Sequence, residues 1–285
     1  MPAELIDRLS AWAAGRGDVR AAFLVGSQAR AETPADEWSD VDLVLVVDDP
    51  RPYLAEAEWV RAFGEPVLTF VERMAIRDGF ERRVLYEDGQ DLDVAVLPAA
   101  GIEGWLDDPE GARVLARGFR LLHDTLGLGE RLAAAAATAP PVRAPAQADL
   151  DELSADVWYH ALWAAKKLRR GELWAAKECL DGYLKARLLT LLGWHARAGD
   201  PERDTWHGGR FVERWADPRW QRALPRAFAV YDPDDVARAL WTTVNLWSQV
   251  ERETAERLGL TPRADEDELR ARLAALVPPS VAGDG

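Results

Sequence analysis

The sequence has little cysteine and no long apolar runs, and both shortages limit the kind of protein it encodes. Its 285 residues include a single cysteine, Cys179, which excludes an intramolecular disulfide and indicates a reducing compartment. No apolar stretch approaches the roughly 20 residues of a membrane-spanning helix. The amino terminus also lacks the basic segment and apolar core of a signal peptide. We therefore expect a cytoplasmic protein with no membrane partner.

The chain also lacks the residue patterns of several common catalytic sites. Its four histidines show no metal-ligand spacing, and one cysteine cannot complete a zinc motif with them. Neither the nucleophile turn of the α/β-hydrolases nor the phosphate-binding loop of the P-loop proteins is present. These three classes of site are thereby excluded.

Positive charge is the other shortage, because 35 Lys and Arg residues face 49 Asp and Glu, which gives a net charge of −14. A nucleic acid partner is not expected, since binding to phosphate backbones depends on Lys and Arg. A cationic small molecule would be attracted instead. A composition rich in Ala, Arg, Glu and Asp can equally produce this acidity without any partner.

The length and a change of composition along the chain predict two domains. With 48% hydrophobic and 29% charged residues the chain is globular and long enough for two cores. Residues 1–135 alternate strands and helices, the Ala- and Pro-rich residues 136–150 form a linker, and residues 151–285 are helical. The predicted fold is α+β, with a mixed β-sheet flanked by helices followed by an α-helical bundle. We expect a monomer or a homodimer.

Apolar periodicity and turn signals give the predicted elements. Strands are expected at residues 19–25, 41–47, 67–71, 82–86 and 92–97, with a further strand or edge element within 112–122. Helices are expected at residues 3–15, 53–63, 149–170, 172–198, 209–216, 217–229, 233–259 and 265–276. The Ala- and Pro-rich run is predicted to be connecting chain from residue 132 to residue 150.

Two aspartates mark the start of the second predicted strand. Asp40 and Asp42 are separated by one residue, so in a strand their carboxylates point to the same face. Asp42 precedes five apolar residues, where a charge costs stability. Paired carboxylates repel each other unless a cation lies between them, and oxygen ligands of this kind suit Mg²⁺ shared with substrate phosphates. The pair therefore predicts a magnesium site.

A turn upstream of the aspartates is suited to an anion. Gly26 lets the backbone approach a ligand closely, and N–H groups at a helix start favour negative charge. Ser27 adds a hydroxyl and Arg30 a positive charge. Alternatively, Ser27 is an ordinary helix N-cap and Arg30 lies on a solvated helix face. A phosphate cradle next to a carboxylate pair indicates phosphoryl or nucleotidyl transfer.

The combination of Gly26-Ser27, Asp40-x-Asp42 and a later aspartate on another strand resembles the nucleotidyltransferase superfamily related to DNA polymerase beta. The acidic and aromatic segment before the aspartate pair, and the Leu97-Pro98 end of the later strand, are similar to the aminoglycoside 6-adenylyltransferases, the streptomycin-modifying group. The resemblance extends over most of the chain. It implies a catalytic domain at the amino end and a helical substrate-binding domain after it.

The resemblance also implies AMP transfer from ATP with two Mg²⁺ ions. Asp93 is the expected third carboxylate, and Asp91, two residues earlier on the same face, is the alternative. In this interpretation Asp40 and Asp42 bind both ions, and Asp93 binds the ion that activates the acceptor. ATP is assigned to four residues: Gly26, Ser27, Arg30 and Lys185.

One predicted helix carries a row of polar residues. Trp174, Glu178, Asp181 and Lys185 follow each other at spacings that place them on one stripe. The family resemblance implies an acidic residue here that accepts the proton of the acceptor hydroxyl, and Glu178 occupies the matching place. Asp181, one turn along, is the alternative. An ordinary solvated ion pair between Asp181 and Lys185 would explain the row equally well.

Two further features are candidates for ligand contact. The segment from Trp206 to Phe211 places two glycines before Arg210, as an anion-receptive loop or a plain turn between helices would. Most tryptophans are expected in the cores, but Trp38 or Trp174 could stack on a base or a sugar ring.

The predicted function is Mg²⁺-dependent transfer of AMP from ATP to a hydroxyl of a streptomycin-like aminoglycoside, which would give antibiotic resistance. One alternative is the same chemistry on another small molecule or on a protein hydroxyl. The other is a non-catalytic, antitoxin-like partner of the same fold. The interval from Arg187 to His195 does not fit the Arg and His spacing of the toxins that pair with such folds.

Overall fold

The computed structural model describes residues 2–30, 35–74, 79–205 and 207–277. The chain divides into two compact units, Met1–Pro141 and Val142–Gly285. Within these described ranges, no helix combines the length and apolar character that crossing a bilayer requires. The predicted α+β class is confirmed, because the first unit contains a mixed sheet with helices and the second is helical.

The first unit is built on a six-stranded sheet. The strands are β1 (Val19–Val25), β2 (Val41–Val47), β3 (Pro66–Arg73), β4 (Phe80–Tyr86), β5 (Asp91–Pro98) and β6 (Arg120–Asp124). Their order across the sheet is β3-β4-β5-β2-β1-β6. The pair β2 and β5 is parallel, and the other neighbouring pairs are antiparallel.

The central strand β2 explains why this sheet has a core on each face. Its sequence, VDLVLVV, is almost continuously apolar, as is typical of a strand covered on both sides. Leu43 and Leu45 pack on one face with Leu5 and Leu9 of the first helix. Val44 and Val46 belong to the core of the opposite face.

Helices cover both faces of the sheet. They are α1 (Pro2–Ala14), α2 (Arg51–Ala55), α3 (Ile102–Leu106), α4 (Pro109–Ala116) and α5 (Leu128–Ala137), with a 3₁₀ segment at Glu58–Phe63. Helix α1 packs on the Leu43 face, while α3, α4 and α5 contribute Trp105, Leu115 and Leu132 to the other core.

Three predictions for this unit are wrong. The region 112–122 begins as helix α4 and becomes strand only at Arg120, because the Asp108 carboxylate caps the helix by accepting a hydrogen bond from the backbone N–H of Glu110. The run from residue 132 is not yet linker, because Leu128–Ala137 is helical and buries Leu128 and Leu132; alanine favours helix.

The third error is the helix predicted over residues 53–63. Helix α2 ends at Ala55, and a 3₁₀ segment follows after a break. Arg82, buried in β4, donates hydrogen bonds to the carbonyls of Tyr53 and Leu54. Those carbonyls are the acceptors that a longer helix would use, so a distant arginine ends the helix here.

The second unit is a helical bundle. Its helices are α6 (Gln147–Arg169), α7 (Leu173–Glu178), α8 (Lys185–Gly199), α9 (Val212–Trp215), α10 (Pro218–Ala227), α11 (Pro233–Leu258) and α12 (Glu266–Leu276). A π-helical segment, Cys179–Leu184, joins α7 to α8. Trp158 and Trp247 are the largest fully buried side chains of its core.

Candidate active site

Three carboxylates converge at the amino ends of two parallel strands. Asp40 immediately precedes β2, Asp42 lies within β2, and Asp93 lies in β5 directly opposite Asp42 in the parallel register. One carboxylate oxygen from each of the three lies within 4.8 Å of the others, and all three residues are half-buried. We call these residues the aspartate triad. The alternative third residue, Asp91, is exposed at the start of β5 and is not in this group.

The electrostatics of the triad favour a cation. The pKa of Asp93 is raised to about 6, mainly by burial and to a smaller extent by the negative charges of Glu81, Asp40 and Asp91, against the opposing effect of Arg83. A bound cation would offset this repulsion and keep the carboxylates ionised. The donor set is oxygen only, which fits Mg²⁺ better than a metal that prefers nitrogen or sulfur.

Arg83 is a residue of this site that the sequence patterns do not single out. It lies opposite Asp93 in the antiparallel pairing of β4 with β5, and its guanidinium is 2.9 Å from the Asp93 carboxylate. It also forms ion pairs with Glu81 and Glu72. The Asp88-Gly89 hairpin signal does not find Arg83, because a two-residue turn at Asp88-Gly89 would place Val84 opposite Asp93. In the structure Tyr86 and Gln90 close a turn that is one residue longer, and this brings Arg83 to that position.

The turn after β1 lies against the triad. Gly26–Gln28 forms a short 3₁₀ segment rather than the predicted start of a helix, and Gly26 has a φ of 65°. A Cβ atom on Gly26 would stand 2.9 Å from Cγ of Asp42, so this position has no room for a side chain. The hydroxyl of Ser27, which is buried, donates to the carbonyl of Asp40 at 3.4 Å. The turn and the aspartate pair are thus one packed structure.

The residues after this turn are packed from a second side. Gly118, between α4 and β6, has a φ of 129°, and a Cβ atom there would lie 2.5 Å from the carbonyl oxygen of Ala29 and 3.0 Å from Cα of Arg30. Only glycine allows this approach. The backbone that carries Arg30 is therefore fixed by close contact. Trp38, in the next loop, is 85% exposed.

The helical unit carries the remaining predicted residues, and one of them differs from the expected arrangement. Glu178 ends α7 and is exposed, as is Trp174. Lys185 is buried rather than on the same stripe: its ammonium donates to the hydroxyl of Thr243 at 2.8 Å and to the carbonyl of Leu180 at 3.1 Å. The π-helical segment changes the helical phase between Glu178 and Lys185, which no periodicity count could anticipate.

Asp181 lies within the π-helical segment and is held by neighbouring cations. Its carboxylate forms an ion pair with Lys177 and accepts a hydrogen bond from the backbone N–H of Ala229. The Oδ1 atom of Asp181 lies 3.8 Å from Nζ of Lys185. Burial lowers the pKa of Lys185 to about 8, with Asp181 opposing the shift. These contacts give Asp181 a structural role in the bundle.

The glycine segment before α9 forms a tight turn. His207–Gly209 is a 3₁₀ segment in which Gly208 has a φ of 62°, and Arg210 is exposed after it. The guanidinium of Arg210 lies 5.9 Å from the ring centre of Phe211. Trp206 lies outside the described residues.

A mixed sheet with two carboxylates at the start of one strand, a third on the parallel neighbour and a glycine turn packed against them defines the nucleotidyltransferase class. The comparison with protein families agrees. The family model described as streptomycin adenylyltransferase matches residues 2–273. The chain therefore belongs to the streptomycin adenylyltransferase family, and it is a nucleotidyltransferase.

Individual relatives are distant in sequence. The aminoglycoside 6-adenylyltransferase of Bacillus subtilis (strain 168) is 20% identical over 263 residues, which is 90% of each chain. The aminoglycoside 6-adenylyltransferase of Campylobacter jejuni is 23% identical over 189 residues, 62% of this chain and 60% of that one. A crystal structure of an aminoglycoside 6-adenyltransferase from Bacillus subtilis aligns with a TM-score of 0.47 and 17% identity, covering 95% of this chain and 97% of that one.

Proposed function

We propose that the protein transfers AMP from ATP to a hydroxyl of a streptomycin-like aminoglycoside in a Mg²⁺-dependent reaction that gives antibiotic resistance. The observation that carries this proposal is the convergence of Asp40, Asp42 and Asp93 within 4.8 Å beside the Gly26 turn. The distant 6-adenylyltransferase relatives support the choice of acceptor. In the reaction the acceptor oxygen bonds to the α-phosphorus of ATP, and the bond from that phosphorus to pyrophosphate breaks.

The metal site follows from the donor set. Asp40 and Asp42 would hold two Mg²⁺ ions, and Asp93 would hold the one nearer the acceptor. Bound there, the ions would neutralise triphosphate charge and lower the pKa of the acceptor hydroxyl. The residues of the first unit that would bind ATP are those of the sequence prediction: Gly26, Ser27 and Arg30. The fourth residue of that prediction, Lys185, is buried, and its ammonium donates to Leu180 and Thr243.

The order of strands supports a direction for the reaction. The Gly26 turn follows β1, on one side of β2, whereas Asp93 lies on β5, on the other side. Attacking and leaving oxygens are roughly in line during such transfers. With the pyrophosphate on the β1 side, the acceptor hydroxyl approaches from the β5 side.

Glu178 is the proposed proton acceptor. It is exposed, whereas Asp181 forms an ion pair with Lys177 and lies close to Lys185. Of the two acids, Glu178 is therefore better placed to receive a proton from a ligand. The proton passes from the acceptor hydroxyl to its carboxylate as the new O–P bond forms.

The proposed function is tested by mass spectrometry of aminoglycosides incubated with the protein, ATP and Mg²⁺. The panel contains streptomycin and aminoglycosides of other ring systems. A gain of one AMP on streptomycin, dependent on the metal, is the expected result. If every aminoglycoside remains unmodified while ATP is turned over onto another acceptor, the proposed acceptor class is wrong.

A further inference from the structure

A row of side chains crosses the sheet from the aspartate triad to its edge. Asp42 on β2 is opposite Asp93 on β5, Asp93 is opposite Arg83 on β4, and Arg83 is opposite Phe70 on β3. Directly paired residues project from the same face. Neighbouring strands are about 4.8 Å apart, so Phe70 lies about 10 Å from Asp93 along this row.

The far end of this row is apolar and open. Phe70 is 47% exposed, and Leu68, two residues earlier on the same face of β3, is 49% exposed. Edge strands normally limit exposed apolar side chains, because such strands recruit other chains. The opposite edge strand, β6, is only five residues long. An exposed aromatic ring on the longer edge strand, on the triad's face, is therefore a feature that requires an explanation.

The charge between the triad and Phe70 is negative overall. The guanidinium of Arg83 is shared among Asp93, Glu81 and Glu72, so three carboxylates surround one positive charge. Glu72 and Glu81 are directly opposite each other in the β3–β4 pairing, an arrangement of like charges that is unfavourable by itself. A cationic molecule lying along this row would find excess negative charge beside an apolar surface.

This surface lies on the side of the aspartate triad from which the acceptor is proposed to approach. If the pyrophosphate leaves on the β1 side, an acceptor whose hydroxyl reaches Asp93 approaches from the β5 side and has β4 and β3 as the next strands along the sheet. A sugar ring has an apolar face of C–H groups, and aromatic rings pack well against such a face.

We propose that Phe70 and Leu68 form the platform on which a ring of the cationic acceptor lies, two strands away from the aspartate triad. The proposal rests on the proposed function for the direction of the acceptor. It adds residues that set acceptor specificity: Phe70 contacts the ring, while Glu72 and Glu81 attract its amino or guanidino groups.

Calorimetry with streptomycin as the probe tests the platform. Streptomycin is titrated into protein saturated with Mg²⁺ and a non-hydrolysable ATP analogue. Phe70→Ala should weaken streptomycin binding roughly tenfold, the effect of losing one aromatic contact. Nucleotide affinity should be unchanged, because the nucleotide lies on the β1 side. The matched control is Val71→Ala, since Val71 is the next residue of β3, is 37% exposed and faces the other side, opposite Arg82. This variant should bind streptomycin within twofold of the wild type.

A second pair of variants guards against misfolding. Phe70→Tyr retains the ring and should bind like the wild type, whereas Phe70→Leu is apolar without a ring and should be weakened. The platform is overturned if Phe70→Ala binds as tightly as the wild type, if Val71→Ala is weakened equally, or if the wild type does not bind streptomycin at all. Binding that depends on Phe70 without any AMP transfer, measured by mass spectrometry on the same samples, would uphold the platform and refute the proposed function.

Discussion

At the scale of single residues, Gly26 is held under two separate constraints. Its φ of 65° is unfavourable for any residue with a Cβ, and that Cβ would collide with the Asp42 carboxylate. The first constraint concerns folding, and the second concerns the position of a carboxylate that we propose as a metal ligand. A control glycine with the same backbone angle and open space separates the two. Gly127 is such a residue, because its φ is also 65° and no atom of the described residues beyond its chain neighbours lies within 4 Å of where its Cβ would be.

Gly26→Ala and Gly127→Ala should therefore differ in activity but not greatly in stability. Both place alanine in the left-handed region, at a cost of about 1–2 kcal/mol. Only Gly26→Ala displaces the Asp42 carboxylate, and a misplacement of this kind costs on the order of 100-fold in turnover. Thermal unfolding and AMP-transfer rates on the two variants check this. Equal activity in both would mean that the contact between Gly26 and Asp42 has no catalytic consequence.

The raised pKa of Asp93 makes a prediction for stability in metal-free buffer. Its carboxyl holds a proton more tightly in the folded state, at a pKa of about 6, than at its ordinary value of 3.8. The stability from this proton is fully present below pH 3.8 and is lost as the pH rises through 6. At pH 7.5 the buried carboxylate thus costs on the order of 2–3 kcal/mol, which Asp93→Asn should recover.

Denaturant unfolding at pH 7.5 and at pH 4 measures this difference. Asp93→Asn should be more stable than the wild type at pH 7.5 and similar to it at pH 4. Mg²⁺ with a nucleotide should stabilise the wild type more than the variant. If the variant is less stable than the wild type at pH 7.5, the buried charge of Asp93 does not reduce the stability of the folded protein.

At the scale of elements, the π-helical segment separates a residue with an exposed carboxylate from residues with structural contacts. Glu178 precedes the segment, Asp181 lies within it, and Lys185 follows it in the core. Segments of this kind are frequent at functional sites. Neutralising the acid before the segment and neutralising the acid within it should therefore have different effects.

Glu178→Gln should lower the rate of AMP transfer by about 10²- to 10⁴-fold, the range for loss of a general base, with the melting temperature unchanged. Asp181→Asn should lower the melting temperature, because it weakens the pairing with Lys177 and the contact with Lys185. Single-turnover kinetics and thermal unfolding distinguish them. If Asp181→Asn is the catalytically impaired variant and Glu178→Gln turns over normally, the base assignment moves along the helix.

The bounds of the strands and helices show how much of the fold could be predicted from the sequence. β1 and β2 begin and end where the apolar runs predict, Val19–Val25 and Val41–Val47, because these strands are buried on both faces and bounded by turns. The end of α2 could not be predicted, because it depends on a residue that is distant in sequence. Arg82 donates hydrogen bonds to the carbonyls of Tyr53 and Leu54. The burial of Lys185 likewise depends on the π-helical segment, which changes the direction of the side chains that follow it. The contact of Arg83 with Asp93 depends on how β4 pairs with β5.

At the scale of the whole molecule, charge is the dominant property. The net charge of −14 should attract a cationic acceptor and repel ATP. Screening shortens the range of both effects, from about 10 Å at 0.1 M salt to about 3 Å at 1 M. The two substrates should therefore respond to salt in opposite directions.

Steady-state kinetics between about 0.05 and 0.5 M salt test this expectation, since the screening length changes severalfold over that range. The KM for the aminoglycoside should rise with salt, while the KM for ATP, measured with Mg²⁺ in constant excess, should fall or stay level. A KM for the aminoglycoside that does not change with salt would show that the acidic composition does not contribute to acceptor binding.

The central claim is that the aspartate triad, through the cations it binds, performs nucleotidyl transfer. AMP transfer to streptomycin by Asp42→Asn, with and without Mg²⁺, tests it most directly, because this substitution removes one negative charge and keeps the shape of the side chain. We expect the wild type to transfer AMP only with the metal. The variant should remain folded, with a melting temperature close to that of the wild type, and should show no transfer above background. Near-normal transfer by the folded variant would contradict the account and place the metal site elsewhere.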